Sequence, residues 1–318
     1  MGDGTKENPY TREDVLNLIE ENGGKAVGLD LSGKVFEEGI NLSHLDLKGL
    51  YLLGAHLEKA HFSGTHLENS FLHDAYLQVA QLPNVHLGGA DLTDAHLDGA
   101  HLMNASLIGT DLRKAHLEKA YLEGANLLGA QLEGTFLLNT EFPDNISLEH
   151  VNWGNFELGE YRQGNFWDSR EIYRRLKKWY TEHGIYNIAG RFFYCEMEAN
   201  RKSLNWKEHK ALKIWNWILM MLCGYGESWK KVIFSASFLF ILFTFIYLFL
   251  NHVWTLADFG RSLYFSAVSF TALGYGSWTN TWFSSNIDWI RGLGAAESFL
   301  GVFMMALFLV TFTRKMTR

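Results

Sequence analysis

The sequence predicts a multi-domain chain: a β-solenoid, an α-helical linker and a membrane-embedded α-helical domain with two spans. Three observations lead there. Leucine or phenylalanine recurs every five residues from position 42 to position 142 without a break. Two apolar runs, 232–250 with no charge and 293–312 with one, are each long enough to cross a bilayer. Between them a short aromatic segment ends in the glycine-rich Thr271-Ala272-Leu273-Gly274-Tyr275-Gly276.

Charge is distributed unevenly. Residues 1–153 carry 23 acidic and 9 basic side chains, whereas residues 154–318 carry 12 and 19, within a formal net charge of −7. A basic half that also holds the apolar runs is matched to anionic lipid headgroups, and no nucleic-acid partner is expected. Cys195 and Cys223 stand in no metal-type spacing and read as free thiols in a reducing compartment. The polar N-terminus lacks the apolar core of a signal peptide. No nucleophile motif, phosphate loop or metal cluster is legible, so the chain is expected not to be an enzyme and to need no cofactor.

A period of five matches neither a helix at 3.6 nor a flat strand at 2. It fits a backbone that turns a corner every five residues, with the leucine pointing inward. Two residues earlier a small side chain lets neighbouring backbone approach, as at Ala55, Ala60, Ala75 and Ala80. Phrases such as Ala90-Asp91-Leu92-Thr93-Asp94 and Ala125-Asn126-Leu127-Leu128-Gly129 fit an A-(D/N)-L-x-x repeat. On these residues the segment resembles the pentapeptide-repeat family. The resemblance implies a right-handed quadrilateral β-helix, four pentapeptides to a coil, with coils stacked about 4.8 Å apart and capped at the ends.

The expected division is an N-terminal cap over 1–39, a solenoid over 40–153, a helical linker over 154–228 and a pore domain over 229–318. Within the cap, Thr11 opens an amphipathic helix over 11–22. Near the solenoid's end, Ile146-x-Leu148 and Val151-x-Trp153 continue the pattern shifted by one residue. At twenty residues per coil, His56, Tyr76, His96 and His116 share one face. Stacked imidazoles there suit a metal or a pH response, or the position simply faces solvent and tolerates any polar residue. Acidic rods of this family include DNA mimics that bind a topoisomerase, a role poorly served by attachment to a membrane half.

The linker is expected to hold two amphipathic helices joined around His183-Gly184. A further helix over 205–222 sets Lys207, Lys210 and Lys213 against Trp206, Trp215 and Trp217. That pattern suits a helix along the cytoplasmic leaflet, the alternative being a buried soluble helix.

Lys230 and Lys231 precede the first apolar run, and Arg314, Lys315 and Arg318 follow the second, whereas the intervening loop is neutral. The positive-inside rule then puts both termini and the solenoid in the cytoplasm of a cell (inner) membrane protein. Residues 261–270 read as a short helix running into 271–277. This resembles the pore helix and selectivity filter of potassium channels, whose filter reads T-V-G-Y-G. A second Gly-Tyr-Gly, at 224–226, lies outside any span and reads as a linker.

The resemblance implies that backbone carbonyls of Thr271, Ala272, Leu273, Gly274 and Tyr275 replace the hydration shell of permeant K+. Gly274 and Gly276 would permit the alternating backbone this requires, and four chains would close the ring as a homotetramer. Ala272 departs from the family's threonine, Val268 from a glutamate some relatives place behind the filter, and Ser277 from the usual aspartate. Two further residues are pore or gating candidates. Glu297 is ionisable within a span and would brace the filter or set the cavity charge, and Gly301 is placed like a hinge glycine.

The expectation is a tetrameric cation channel for K+, carrying a pentapeptide-repeat domain for regulation by an unidentified ligand or protein, or for assembly. The alternatives are a weakly selective channel for K+ and other monovalent cations, and a membrane-anchored scaffold whose solenoid binds a partner.

Overall fold

A computed structural model describes residues 2–250, 255–272 and 287–316, with the side chains of 287–291 and 314 left aside. The chain forms two compact units, Met1–Ser203 and Leu204–Arg318.

In the first unit, parallel bridges join residues twenty apart, from Asn41 with His61 through to His116 with Phe136. One coil therefore contains four pentapeptides. The central leucines and the small residues two positions earlier make the core, with Leu47, Ala95, Leu97 and Ala100 wholly buried. Two residues after each leucine the chain turns through positive φ, supplied by Gly49, Gly54 and Gly64 or by Asn69, Asp74 and Asn84. These residue types accept the left-handed conformation most readily. Where threonine replaces the small residue, its hydroxyl donates to a carbonyl of the preceding coil: Thr65 to Leu42 at 2.8 Å, and Thr110 to Leu87 and Thr135 to Leu112 at 2.9 Å. No buried hydroxyl is then left unpaired at these positions.

The ladder starts earlier than position 40. Asp30 pairs with Tyr51 and Val35 with His56, each at a step of twenty-one. Residues 30–39 thus belong to the coils, and the cap is shorter than expected. Its helix α1 (Arg12–Glu21) starts with a reciprocal capping box between Thr11 and Asp14. The Arg12 guanidinium donates to the carbonyls of Asn41 and Ser43. At the far end the step is again twenty-one, from Asn126 to Ser147 and Gln131 to Asn152. This is the one-residue shift carried by Ile146 and Val151.

Helix α2 (Gly159–Arg162) closes the last coil. Glu160 is buried, and its Oε1 accepts a 2.5 Å bond from the Leu137 amide. Burial, reinforced by nearby Glu118, holds this carboxyl above the usual carboxylate range. Helices α3 (Phe166–Glu182) and α4 (Tyr186–Ser203) form a hairpin. It docks through buried aromatics: Trp153 Nε1 donates to the Tyr180 hydroxyl at 2.8 Å, which donates to the Leu148 carbonyl at 2.9 Å. The Tyr173 hydroxyl donates to the Phe156 carbonyl at 2.9 Å. The expected linker over 154–228 is therefore divided, because its helical hairpin packs as part of the first unit.

In the second unit, α5 (Lys210–Cys223) ends on Gly224 at φ +56°. The Gly224-Tyr225-Gly226 turn leads into α6 (Trp229–Leu250), and α7 (Leu256–Phe270) and α8 (Ile287–Met316) follow. Trp229–Leu250 and the stretch Gly292–Thr313 of α8 are long and apolar enough to cross a membrane. Much of their apolar surface is exposed, including Phe234, Phe249, Phe299 and Val310.

Candidate functional site

The site is built around α7, a fifteen-residue helix between the two spans in sequence. The Thr255 hydroxyl accepts from the Asp258 amide at 3.2 Å and fixes its start. Arg261 reaches back to Asp258 at 3.3 Å. The chain leaves the helix at Thr271, so the negative end of the helix lies next to the glycine-rich segment.

Three helices meet at one carboxylate. Glu297 of α8 is fully buried. Its Oε2 accepts a 2.7 Å bond from the Tyr247 hydroxyl of α6. Its Oε1 pairs with the Ser266 hydroxyl of α7, which also lies 3.1 Å from the Phe240 carbonyl of α6. The Tyr247 ring packs edge-on against Phe265 with centroids 4.7 Å apart. The polar groups satisfy one another inside an apolar shell, where an unpaired member would be expensive. Both spans and α7 are thereby locked in one register.

One turn after Glu297 comes Gly301. A Cβ there would stand 1.9 Å from the carbonyl oxygen of Phe270, the last residue of α7. Its glycine character is thus a steric requirement: it lets α8 pass against the end of α7. Gly301, expected as a hinge, occupies a packed crossing.

Of the expected filter residues, Thr271 and Ala272 are described. The Thr271 amide and hydroxyl both donate to the Ala267 carbonyl, at 3.1 and 2.7 Å. Thr271 has φ −83° and Ala272 φ +55°, with the Ala272 amide bonded to the Ser269 carbonyl at 3.0 Å. Thr271 and Ala272 therefore have φ of opposite sign. Leu273, Gly274, Tyr275 and Gly276 lie outside the described residues, as does Ser277.

Sequence reasoning singled out Glu297 but neither of its partners. Tyr247 and Ser266 were legible only as hydroxyls among apolar residues. Such a hydroxyl signals a buried polar contact without naming its partner.

On the solenoid, the histidine face forms a column of stacked rings. His56 and Tyr76 lie 4.5 Å apart, Tyr76 and His96 4.9 Å, His96 and His116 5.1 Å, and His116 and Phe136 4.2 Å.

A family model for pentapeptide repeats matches in eight copies, over residues 38–74, 72–107 and 100–137. A family model for an ion channel domain matches residues 234–318. Among solved structures, a pentapeptide repeat protein from the cyanobacterium Cyanothece 51142 is 25% identical, covers 44% of this chain and 99% of its own, and has a TM-score of 0.30. A pentapeptide repeat protein from Nostoc PCC 7120 is 29% identical over 43% of this chain and 93% of its own, with a TM-score of 0.18. No curated protein matches the chain. The protein thus joins a pentapeptide-repeat solenoid to a two-transmembrane ion channel domain, and it is a membrane protein.

Proposed function

We propose that the protein is a homotetrameric channel that conducts K+ through a filter formed by residues 271–276. The observation that carries this reading is a helix anchored to both spans at Glu297 and Gly301 and running directly into Thr271-Ala272-Leu273-Gly274-Tyr275-Gly276. A filter needs its carbonyls held rigidly, because replacing an ion's water shell is a matter of fixed geometry. The alternation of φ between Thr271 and Ala272 suits carbonyls aimed at a common axis. The carboxylate behind the pore helix comes from Glu297 on α8, while position 268 is valine. Transport in this reading is passive and involves no catalysis or cofactor.

In the proposed arrangement the solenoid is a right-handed, four-sided coil in the cytoplasm, and both termini of the chain lie on the same side of the cell membrane. Helix α5 rests along the inner leaflet. Its exposed Leu212, Trp215, Trp217 and Met221 and its Lys210 and Lys213 support this placement. The solenoid governs gating or assembly through a ligand or protein that it binds.

Ala272 favours a second reading, weak selectivity among monovalent cations, since it lacks the hydroxyl that would complete the innermost ion site. Reversal potentials in planar bilayers, with K+ on one side and Na+ on the other, decide between the two. A value near the K+ equilibrium potential establishes the first. A value near zero with sustained current establishes the second. A folded tetramer that carries no current, with or without residues 1–153, would leave the protein a membrane-anchored scaffold.

A further inference from the structure

One group of polar side chains on the solenoid lies outside its leucine core. An imidazole nitrogen of His116 and one carboxylate oxygen each from Asp98 and Glu118 lie within 4.8 Å of one another. Asp98 and Glu118 occupy the same position on adjacent coils, twenty residues apart, so the ladder itself holds their backbones side by side. The His116 ring is fixed by stacking between His96 and Phe136, at 5.1 and 4.2 Å. Its Nδ1 lies 3.3 Å from Glu118 Oε1.

The charge balance of the group is incomplete. Glu118 Oε2 is buried without a hydrogen-bond partner. Among the described residues, no lysine or arginine forms an ion pair with Asp98 or Glu118. A second group, His66, Glu68 and His86, has a similar span. There Glu68 Oε2 is likewise buried without a partner, but a cation already stands beside the carboxylate, the Lys48 ammonium 3.5 Å from Glu68 Oε1.

We propose that Asp98, His116 and Glu118 form a binding site for one divalent transition-metal cation of the Zn2+ type. One imidazole and two carboxylates are a donor set such ions accept, with water completing the coordination. Tetrahedral donors about 2.1 Å from zinc stand roughly 3.4 Å apart, so closing the site takes side-chain movements on the order of 1 Å. The cation would pair with the orphaned Glu118 oxygen and relieve the repulsion between the two carboxylates.

The test is a Co2+ titration of the purified full-length protein in detergent after chelator treatment, followed by visible d–d absorption and reversed with Zn2+. The expected result is a saturable band at one equivalent that Zn2+ abolishes. His116→Ala and Glu118→Gln each weaken binding by at least about tenfold, and His66→Ala leaves it unchanged. Circular dichroism checks that each variant keeps its coils, and Asp98→Asn carries the test if either of the other two does not. Absence of a saturable band, or identical binding by wild type and these variants, overturns the proposal. So does a band lost on His66→Ala and kept on His116→Ala.

Discussion

The hydroxyl of Tyr247 donates to the carboxylate of Glu297 at 2.7 Å across fifty residues of sequence, and the bond is wholly buried. It ties the first span to the second directly behind α7. Tyr247→Phe removes the donor but keeps the ring, leaving one carboxylate oxygen unpaired in an apolar setting. The expected cost is about 1–3 kcal/mol, read as a lower melting temperature of the assembled protein and reduced cation flux. Glu297→Gln, which keeps an acceptor for Tyr247 or Ser266, is expected to be milder. An unchanged melting temperature for Tyr247→Phe would show that the contact stabilises nothing.

The Gly301 crossing makes a sharper prediction. Gly301→Ala places a methyl group 1.9 Å from the Phe270 carbonyl, a backbone atom with no rotamer to change. Loss of assembled protein in gel filtration is the expected outcome. Gly292→Ala, whose added methyl would meet no other part of the described residues within 4 Å, is the control and should assemble normally.

Ala272 sits at φ +55°, where a β-branched residue is strongly disfavoured. A hydroxyl is therefore better introduced as serine than as threonine. Ala272→Ser is expected to move the K+/Na+ reversal potential toward the K+ equilibrium value if the wild type is poorly selective. Ala272→Thr should assemble less well. Equal yields of the two variants would show that the positive φ is not maintained in the assembled pore.

Burial, with Glu157 and Glu198 nearby, pushes the Cys195 thiol up to about 12. A raised thiol pKa keeps the unreactive protonated form over the whole range below it. At pH 8 roughly one thiol in ten thousand is then ionised. Iodoacetamide should leave Cys195 unmodified in the native protein at pH 8 and label it after denaturation, as followed by peptide mass spectrometry. Rapid native labelling would mean that the α3–α4 hairpin opens readily.

Val79 occupies a turn position at φ +59° and is 46% exposed. Neighbouring coils place Lys59 and Gly99 there. Val79→Asn should relieve about 1 kcal/mol of backbone strain, raising the temperature at which the coil signal is lost in circular dichroism.

The solenoid was legible because its period is written in nearly every residue, down to the single-residue shift announced by Ile146 and Val151. Its true start was not. Leu31 and Phe36 are buried in the first coil, but they stand one residue out of phase with the leucines from Leu42 onward. The end cap was equally hidden, because Gly159-Glu160-Tyr161-Arg162 has no periodicity and Glu160 matters only through the amide it meets. In the channel domain, Glu297 was conspicuous as a lone acid in an apolar run. The three-helix junction was not, since Tyr247 and Ser266 come from different elements. Gly301 shows the limit of reading residue type alone: a glycine for bending and a glycine for close approach look the same in one sequence.

The carboxylate of Glu160 occupies the hydrogen-bonding position on Leu137 that a further coil would otherwise fill. A ladder left bare would present the same backbone edge to the last coil of another copy, and chains would add one after another into fibres. With that amide occupied, another copy cannot extend the ladder at Leu137. The number of coils in each copy is a fixed ruler set by its own sequence.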